Sequence, residues 1–340
     1  MSLDKKLLVS ASPHDHSKDT VTRIMLDVVI ALVPSLIAAT FLFGFRTLVV
    51  SAVSVGTCVL AEYISRIVMK RHQTVGDISA IVTGLLIAFN VPVSMPLWMV
   101  VLGDILAIVV VKQMFGGLGY NFANPAMTAR IVLLVSFAGQ LSVYSDPFTW
   151  ASGAKAGADV VSSATPMAGE TVGALSFGVT EDVVAQADNI TFTLRQLFFG
   201  MHPGCIGETS SFLLMIGGLY LIARRVIKPI IPVSFIGTVA VATLITGIFT
   251  EVDFKSAIFG GGLMLGAIFM ATDYVTSPTT NLGKLIFGIG CGLVTFVIRQ
   301  FSPLPEGVSY AILLMNIITP HINRFTLSKP FGYVEVAKNE

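Results

Sequence analysis

The chain has 340 residues, 54% of them hydrophobic and only 12% charged, with a net charge of +1. A water-soluble domain carries about a quarter of its residues as charged ones, so this composition excludes an ordinary soluble fold. The near-neutral balance gives no basic face for nucleic acid.

Residues 1–21 are polar and lack the apolar core and small-residue cleavage site of a signal peptide, so they are expected to form a cytoplasmic N-terminal segment. Residues 22–144 hold five apolar runs, near Thr22–Phe43, Thr47–Ile67, Ile78–Asn90, Leu97–Val111 and Pro125–Tyr144. Runs of this length that are hydrophobic throughout, without alternation, predict spanning α-helices rather than barrel strands. Residues 145–207 are polar and rich in acids, among them Asp146, Asp159, Glu170, Glu181, Asp182 and Asp188. Residues 208–320 return to apolar runs near Glu208–Ala223, Pro229–Thr250, Ala257–Thr272, Gly283–Arg299 and Gly307–Pro320, and residues 321–340 form a polar tail.

If the N-terminus is cytoplasmic, 16 of the 21 Lys and Arg residues, Lys112 and Arg130 among them, fall on the cytoplasmic side. That bias predicts both termini inside and the acidic segment outside. Five helices on either side of that segment make the second group start from the opposite face, as inverted repeats do. The expected fold is therefore an all-α polytopic membrane protein of about ten spans in two inverted five-helix halves. The third run of each half is short and interrupted by proline, which points to a central site between the halves.

Four acids fall within or beside the predicted spans: Asp27, Glu62, Asp104 and Asp273. Asp27 and Glu62 stand near enough to the cytoplasmic ends to reach the headgroups. Asp104 lies inside an apolar run and is the candidate for an ion pathway, a bare carboxylate being costly there. Cys58, Cys205 and Cys291 are dispersed and form no metal-binding spacing. Gly116-Gly117-x-Gly119 follows no strand, so it reads as a tight turn before Pro125 and not as a dinucleotide fingerprint. His202 to Ser210 leads into the sixth helix, whose N-terminus favours an anion; Glu208 there serves equally as a helix cap.

The outer segment contains Asp159-Val160-Val161-Ser162-Ser163-Ala164-Thr165. Together with Phe115 to Ala126, His202 to Ser210, Ser12-Pro13-His14 and Thr272-Asp273-Tyr274, it resembles one family along nearly the whole chain. That family holds the D subunit of the Rnf complex, a ferredoxin:NAD⁺ oxidoreductase, and the B subunit of the sodium-translocating NADH:quinone oxidoreductase. Its members carry D-x-x-[S/T]-G-A-T as the target of a flavin transferase; Ser163 departs from the pattern at the glycine.

The resemblance implies that Thr165 carries FMN as a phosphoester, with Asp159, Ser162, Ser163 and Ala164 as recognition residues. It also implies a urea-transporter-like fold in the plasma membrane and a second, noncovalent flavin such as riboflavin. His202, Gly204, Gly207, Glu208 and Thr209 are candidate flavin contacts. The implied partners are a second flavinylated subunit, small membrane subunits, cytoplasmic iron–sulfur and NADH-binding subunits, and membrane lipid. A solute channel of the same architecture and a non-redox scaffold are the alternatives; a bound flavin decides against the channel, and an unmodified Thr165 in cells with an active flavin transferase favours the scaffold.

Overall fold

The computed structural model describes residues 19–152, 192–208, 210–247, 254–302 and 306–327, and these residues are helical without a strand among them. The first half comprises α1 (Val21–Phe43), α2 (Arg46–Val68), α3 (Ser79–Phe89), α4 (Leu97–Ile105) and α5 (Pro125–Ser136). A short helix α6 (Leu194–Phe199) precedes the second half. That half contains α7 (Ser211–Ala223), α8 (Ile230–Gly247), α9 (Phe254–Phe259), α10 (Asn281–Phe301) and α11 (Val308–Thr326).

Side-chain caps set several of these starts. Thr20 accepts from the Arg23 amide, Ser210 from Leu213 and Thr280 from Gly283, each satisfying a donor that the first helical turn leaves free. Asn124 accepts from the amides of Ala126 and Met127, with Pro125 opening α5. The glycines before it do make the expected turn: Gly116, Gly117 and Gly119 all have positive φ. At Gly117 a Cβ would also sit 2.2 Å from the buried Arg66 guanidinium.

Four described helices, α1, α2, α8 and α10, are long and apolar enough to cross a membrane. α3, α5 and α7 are shorter apolar helices. Leu26, Ile30, Phe41, Leu60, Ile64, Leu244 and Leu293 point outward from the bundle, an apolar surface that only lipid or a partner can cover.

Three expected helices take other forms. The run after Leu97 continues from α4 as a π-helical stretch, Leu106–Gln113. The run after Pro125 stops at Ser136, where Phe137 leaves helical geometry. The run expected over 257–272 is broken: α9 ends at Phe259, Gly261 takes a positive φ, and a turn at Leu263–Leu265 leads into π-helical Gly266–Met270. Glycines at 260, 261 and 262 cost helical order that continuous apolar composition does not reveal.

Hydrogen bonds gather the helix ends into two faces. On the face of Thr20, Asp27 of α1 meets Tyr220 and Arg224 at the end of α7, Lys228 meets Asn281, and Thr280 meets Thr326. On the opposite face, Arg46 donates to the carbonyls of Val93, Ser94 and Met95, and the Phe148 amide donates to Leu42. The described chain thus begins and ends on the same face.

Small residues bring the helices close, as in other membrane bundles where apolar burial adds little between helices. A Cβ on Gly217 of α7 would lie 2.4 Å from the Ala31 carbonyl oxygen of α1. Gly217→Val is therefore expected to destabilise the fold by about 1–3 kcal/mol, the usual cost of overpacking. Thermal unfolding in detergent checks this, with Gly237→Ala, whose Cβ meets nothing within 4 Å, expected to leave the midpoint unchanged or slightly raised.

Candidate functional site

The two interrupted segments meet near the middle of the bundle. α3 ends at Phe89, and the side chain of the next residue, Asn90, donates to Leu86 O at 2.6 Å and to Met270 Sδ at 3.5 Å. Met270 closes the second π-helical stretch, and its carbonyl accepts from Asn124 Nδ2 at 3.1 Å. Two asparagines thereby occupy polar groups at these interrupted ends, where water is scarce.

Arg130 of α5 occupies the same level and is only 2% exposed. Its Nη1 donates to Asn90 Oδ1 at 2.6 Å, and its Nη2 approaches Cys205 Sγ at 3.7 Å and Glu208 Oε1 at 3.4 Å. Arg130 also pairs with Glu306, which lies just before α11. The second Glu208 oxygen accepts from the Cys205 amide at 3.2 Å. One guanidinium thus holds the end of α3 to two carboxylates of the second half.

Glycines permit this convergence. A Cβ on Gly207 would fall 2.6 Å from Phe89 Cβ and 2.9 Å from Leu265, and one on Gly204 would fall 3.1 Å from Glu208 Oε2. His202 is buried beside them, its Nδ1 3.1 Å from its neighbour's carbonyl at Pro203 and its Nε2 without a partner among the described residues.

Below this centre, toward the face of Thr20, lies a cavity of about 800 Å³, its open mouth included. Its walls are apolar at Leu86, Leu221 and Phe269, and polar at Thr83, Lys112, Asn121, Asn124 and Asp273. The Asn121 amide nitrogen donates to Ala123 O, while its buried Oδ1 has no partner among the described residues. A mostly apolar chamber with a few converging polar groups is the usual form of an organic cofactor site.

A second polar network lies beside the cavity. Lys112 Nζ contacts Glu62 Oε2 at 2.8 Å and Ser79 Oγ at 2.7 Å, and Gln113 and Thr74 donate to Glu62 Oε1, each at 2.9 Å. The π-helical stretch delivers Lys112 and Gln113 to this network; such stretches are frequent at functional sites. Asp104 is separate and fully buried: Ser54 donates to its Oδ1 at 2.7 Å, and the Cys58 thiol is a second hydrogen-bonding neighbour. No Lys or Arg forms an ion pair with Asp104 among the described residues.

Of the residues expected from sequence, Gly204, Gly207 and Glu208 join the centre and His202 borders it. Thr209 and the motif residues Asp159, Ser162, Ser163, Ala164 and Thr165 lie outside the described residues. Three expectations change. Glu62, expected near headgroups, is fully buried and paired; Lys112 and Arg130, counted as cytoplasmic charges, are each 2% exposed. Arg130 is buried because the loop over 121–124 is itself largely buried, so α5 starts inside the bundle. Asn90, Asn124 and Glu306 join the centre although no pattern in the sequence marks them as ligands.

Removing the cation of a buried cluster leaves its anions unpaired, at a typical cost of about 3–5 kcal/mol. Arg130→Met is expected to lower the unfolding midpoint of the purified chain sharply. The triple variant Arg130→Met, Glu208→Gln, Glu306→Gln is expected to recover much of that loss; an equal or larger loss in the triple variant argues against charge pairing at this centre.

A profile of the NQR2, RnfD, RnfE family matches residues 8–332. The chain is 43% identical to the D subunit of the Na⁺-translocating ferredoxin:NAD⁺ oxidoreductase complex of Acetobacterium woodii, over 98% of this chain and 97% of that protein. It is 39% identical to the D subunit of the proton-translocating ferredoxin:NAD⁺ oxidoreductase complex of Clostridium ljungdahlii, over 95% and 96%. The D subunit of the ion-translocating oxidoreductase complex of Cronobacter sakazakii is 34% identical over 96% and 99%. With its whole helical body inside these matches, the chain belongs to the NQR2, RnfD, RnfE family.

Proposed function

We propose that this chain is the D-type membrane subunit of an Rnf-type ion-translocating ferredoxin:NAD⁺ oxidoreductase, and that it carries electrons between other redox subunits through bound flavin. The observation that carries the reading is near full-length identity to D subunits whose names state that activity, joined with the Asp159 to Thr165 motif in this sequence.

Thr165 is the attachment point. Its hydroxyl oxygen bonds to the FMN-side phosphorus of FAD, the P–O–P link breaks, AMP leaves, and the hydroxyl proton passes to solvent or to the transferase. No electron is transferred in that step, and the flavin ring stays chemically unaltered. Flavin bound this way supplies one- and two-electron redox chemistry. The outer segment departs from and returns to the face opposite Thr20, which supports Thr165 standing outside when the termini are cytoplasmic.

The cavity is the candidate seat of the noncovalent flavin. Its apolar walls and the Asn121 Oδ1, unpartnered among the described residues, suit a planar ring with one polar edge. Asn121, Asn124 and Thr83 would hold that edge, and Leu86, Leu221 and Phe269 the ring faces. Lys112 lies in the wall with its charge balanced by Glu62, so the chamber carries no unopposed cation there. His202, Gly204, Gly207 and Glu208 lie toward the face opposite Thr20, and these four, with Thr209 from the same stretch of sequence, remain candidates for contact with the FMN on Thr165. Asp104, fully buried and held by Ser54, remains the candidate for proton or cation passage.

The alternation of helix ends between two faces supports ten crossings in two inverted five-helix halves, with both termini cytoplasmic. The partners are a second flavinylated subunit, small membrane subunits, and cytoplasmic subunits with iron–sulfur clusters and an NADH site.

Co-expression with a flavin transferase tests the reading. The wild-type band on a denaturing gel is expected to fluoresce and its peptide to carry FMN mass, whereas Thr165→Ala is expected to be dark. A dark wild-type band removes the covalent carrier and leaves the channel or scaffold reading. Asn121→Leu is expected to keep the fluorescent band but lose most of the flavin extractable by acid; unchanged extractable flavin places it elsewhere.

A further inference from the structure

One charged feature of the Thr20 face takes no part in the centre or the cavity. After α7 the chain turns at Arg225 in left-handed backbone, φ 59°, and reaches α8 through Lys228. α10 starts at the same level: Lys228 Nζ donates to Asn281 Oδ1 at 2.9 Å. A Cβ on Gly288 would meet Ser234 and the Ile231 carbonyl, and one on Gly292 would meet Thr238 and the Phe235 carbonyl. The matched advance of these contacts makes α8 and α10 parallel neighbours, with both N-termini at this end. Their free amides and positive dipole ends therefore point the same way.

A separate cavity of about 460 Å³ opens at these helix starts. Arg225, Lys228 and Lys284 line it with Thr272, Tyr274 and Ser277, and no carboxylate does. Lys228 and Lys284 stand close enough to repel one another. Neither Arg225 nor Lys284 forms an ion pair among the described residues. Ser277 is buried and lines the pocket, its amide donating to Asp273 O at 3.1 Å. Val226, Ile227 and Tyr274 form a shared wall with the larger cavity, so this site stands without any assumption about flavin.

We propose that this pocket binds a phosphate group, and that its occupant is the headgroup of an anionic phospholipid. Three cations, two helix N-termini and the Ser277 hydroxyl supply donors and charge, and no carboxylate is among the described lining residues, although Asp19 acts on Tyr274 from outside that lining; this is the chemistry of a phosphate site. The pocket sits where the apolar spans begin, at headgroup depth, and Val233, Leu282, Leu285 and Ile286 are exposed on the adjoining helix turns. Acyl chains attached to the phosphate have an apolar surface to cover there, and basic pockets between spanning helices are known seats for anionic headgroups.

The test uses the full chain purified in neutral detergent, with thermal unfolding followed after addition of phosphatidylglycerol, phosphatidylcholine or inorganic phosphate. Phosphatidylglycerol is expected to raise the wild-type midpoint by several degrees and phosphatidylcholine to leave it unmoved. The double variant Lys228→Gln, Lys284→Gln is expected to lose at least half of the shift; if it does not fold, Lys284→Gln alone carries the comparison. An equal, variant-sensitive shift with millimolar inorganic phosphate supports the phosphate pocket and overturns the lipid as its source. No wild-type shift, or a shift that the variants keep in full, overturns the site.

Discussion

Arg130 can neither shed its charge nor reach water, so everything around it is constrained by the need to answer one buried guanidinium. Asn90, Glu208 and Glu306 come from three separate stretches of chain, and each is drawn to this position by Arg130. The glycines at 204 and 207 follow from that demand, because a larger side chain at 207 would hold the Glu208 turn away from Phe89 and Leu265, and one at 204 would crowd the Glu208 carboxylate itself. The interruption of two segments is compatible with an apolar setting because Asn90 and Asn124 engage polar groups at their ends.

Much of this was legible in the sequence. Long apolar runs gave the extended helices, the proline positions gave the short third segment of each group, and Pro125 marked the start of α5. The glycine turn before Pro125 was readable because it is a local matter of backbone geometry. The centre was not readable to the same degree. Arg130 looks like an interfacial cation when depth is counted from the helix start, and only tertiary packing shows that the start is itself buried. Glu306 carries no local signal at all, since what distinguishes it is a partner 176 positions earlier in the chain.

Lys112 illustrates the same lesson with opposite sense. Its position at the end of an apolar run gives it the pattern of a snorkelling cation. The π-helical stretch turns it inward, where Glu62 and Ser79 receive it. Charged residues in this bundle are thus arranged at two depths, Glu62 with Lys112 near one face and Arg130 with its carboxylates further in, and the apolar chamber lies between them.

The chamber stops short of Asn90 and Arg130, one helical turn beyond its lining residues Leu86 and Ala126. The engaged guanidinium and its carboxylates stand beyond the inner end of the chamber, so the fold holds a vestibule toward one face that ends against a charged, hydrogen-bonded layer.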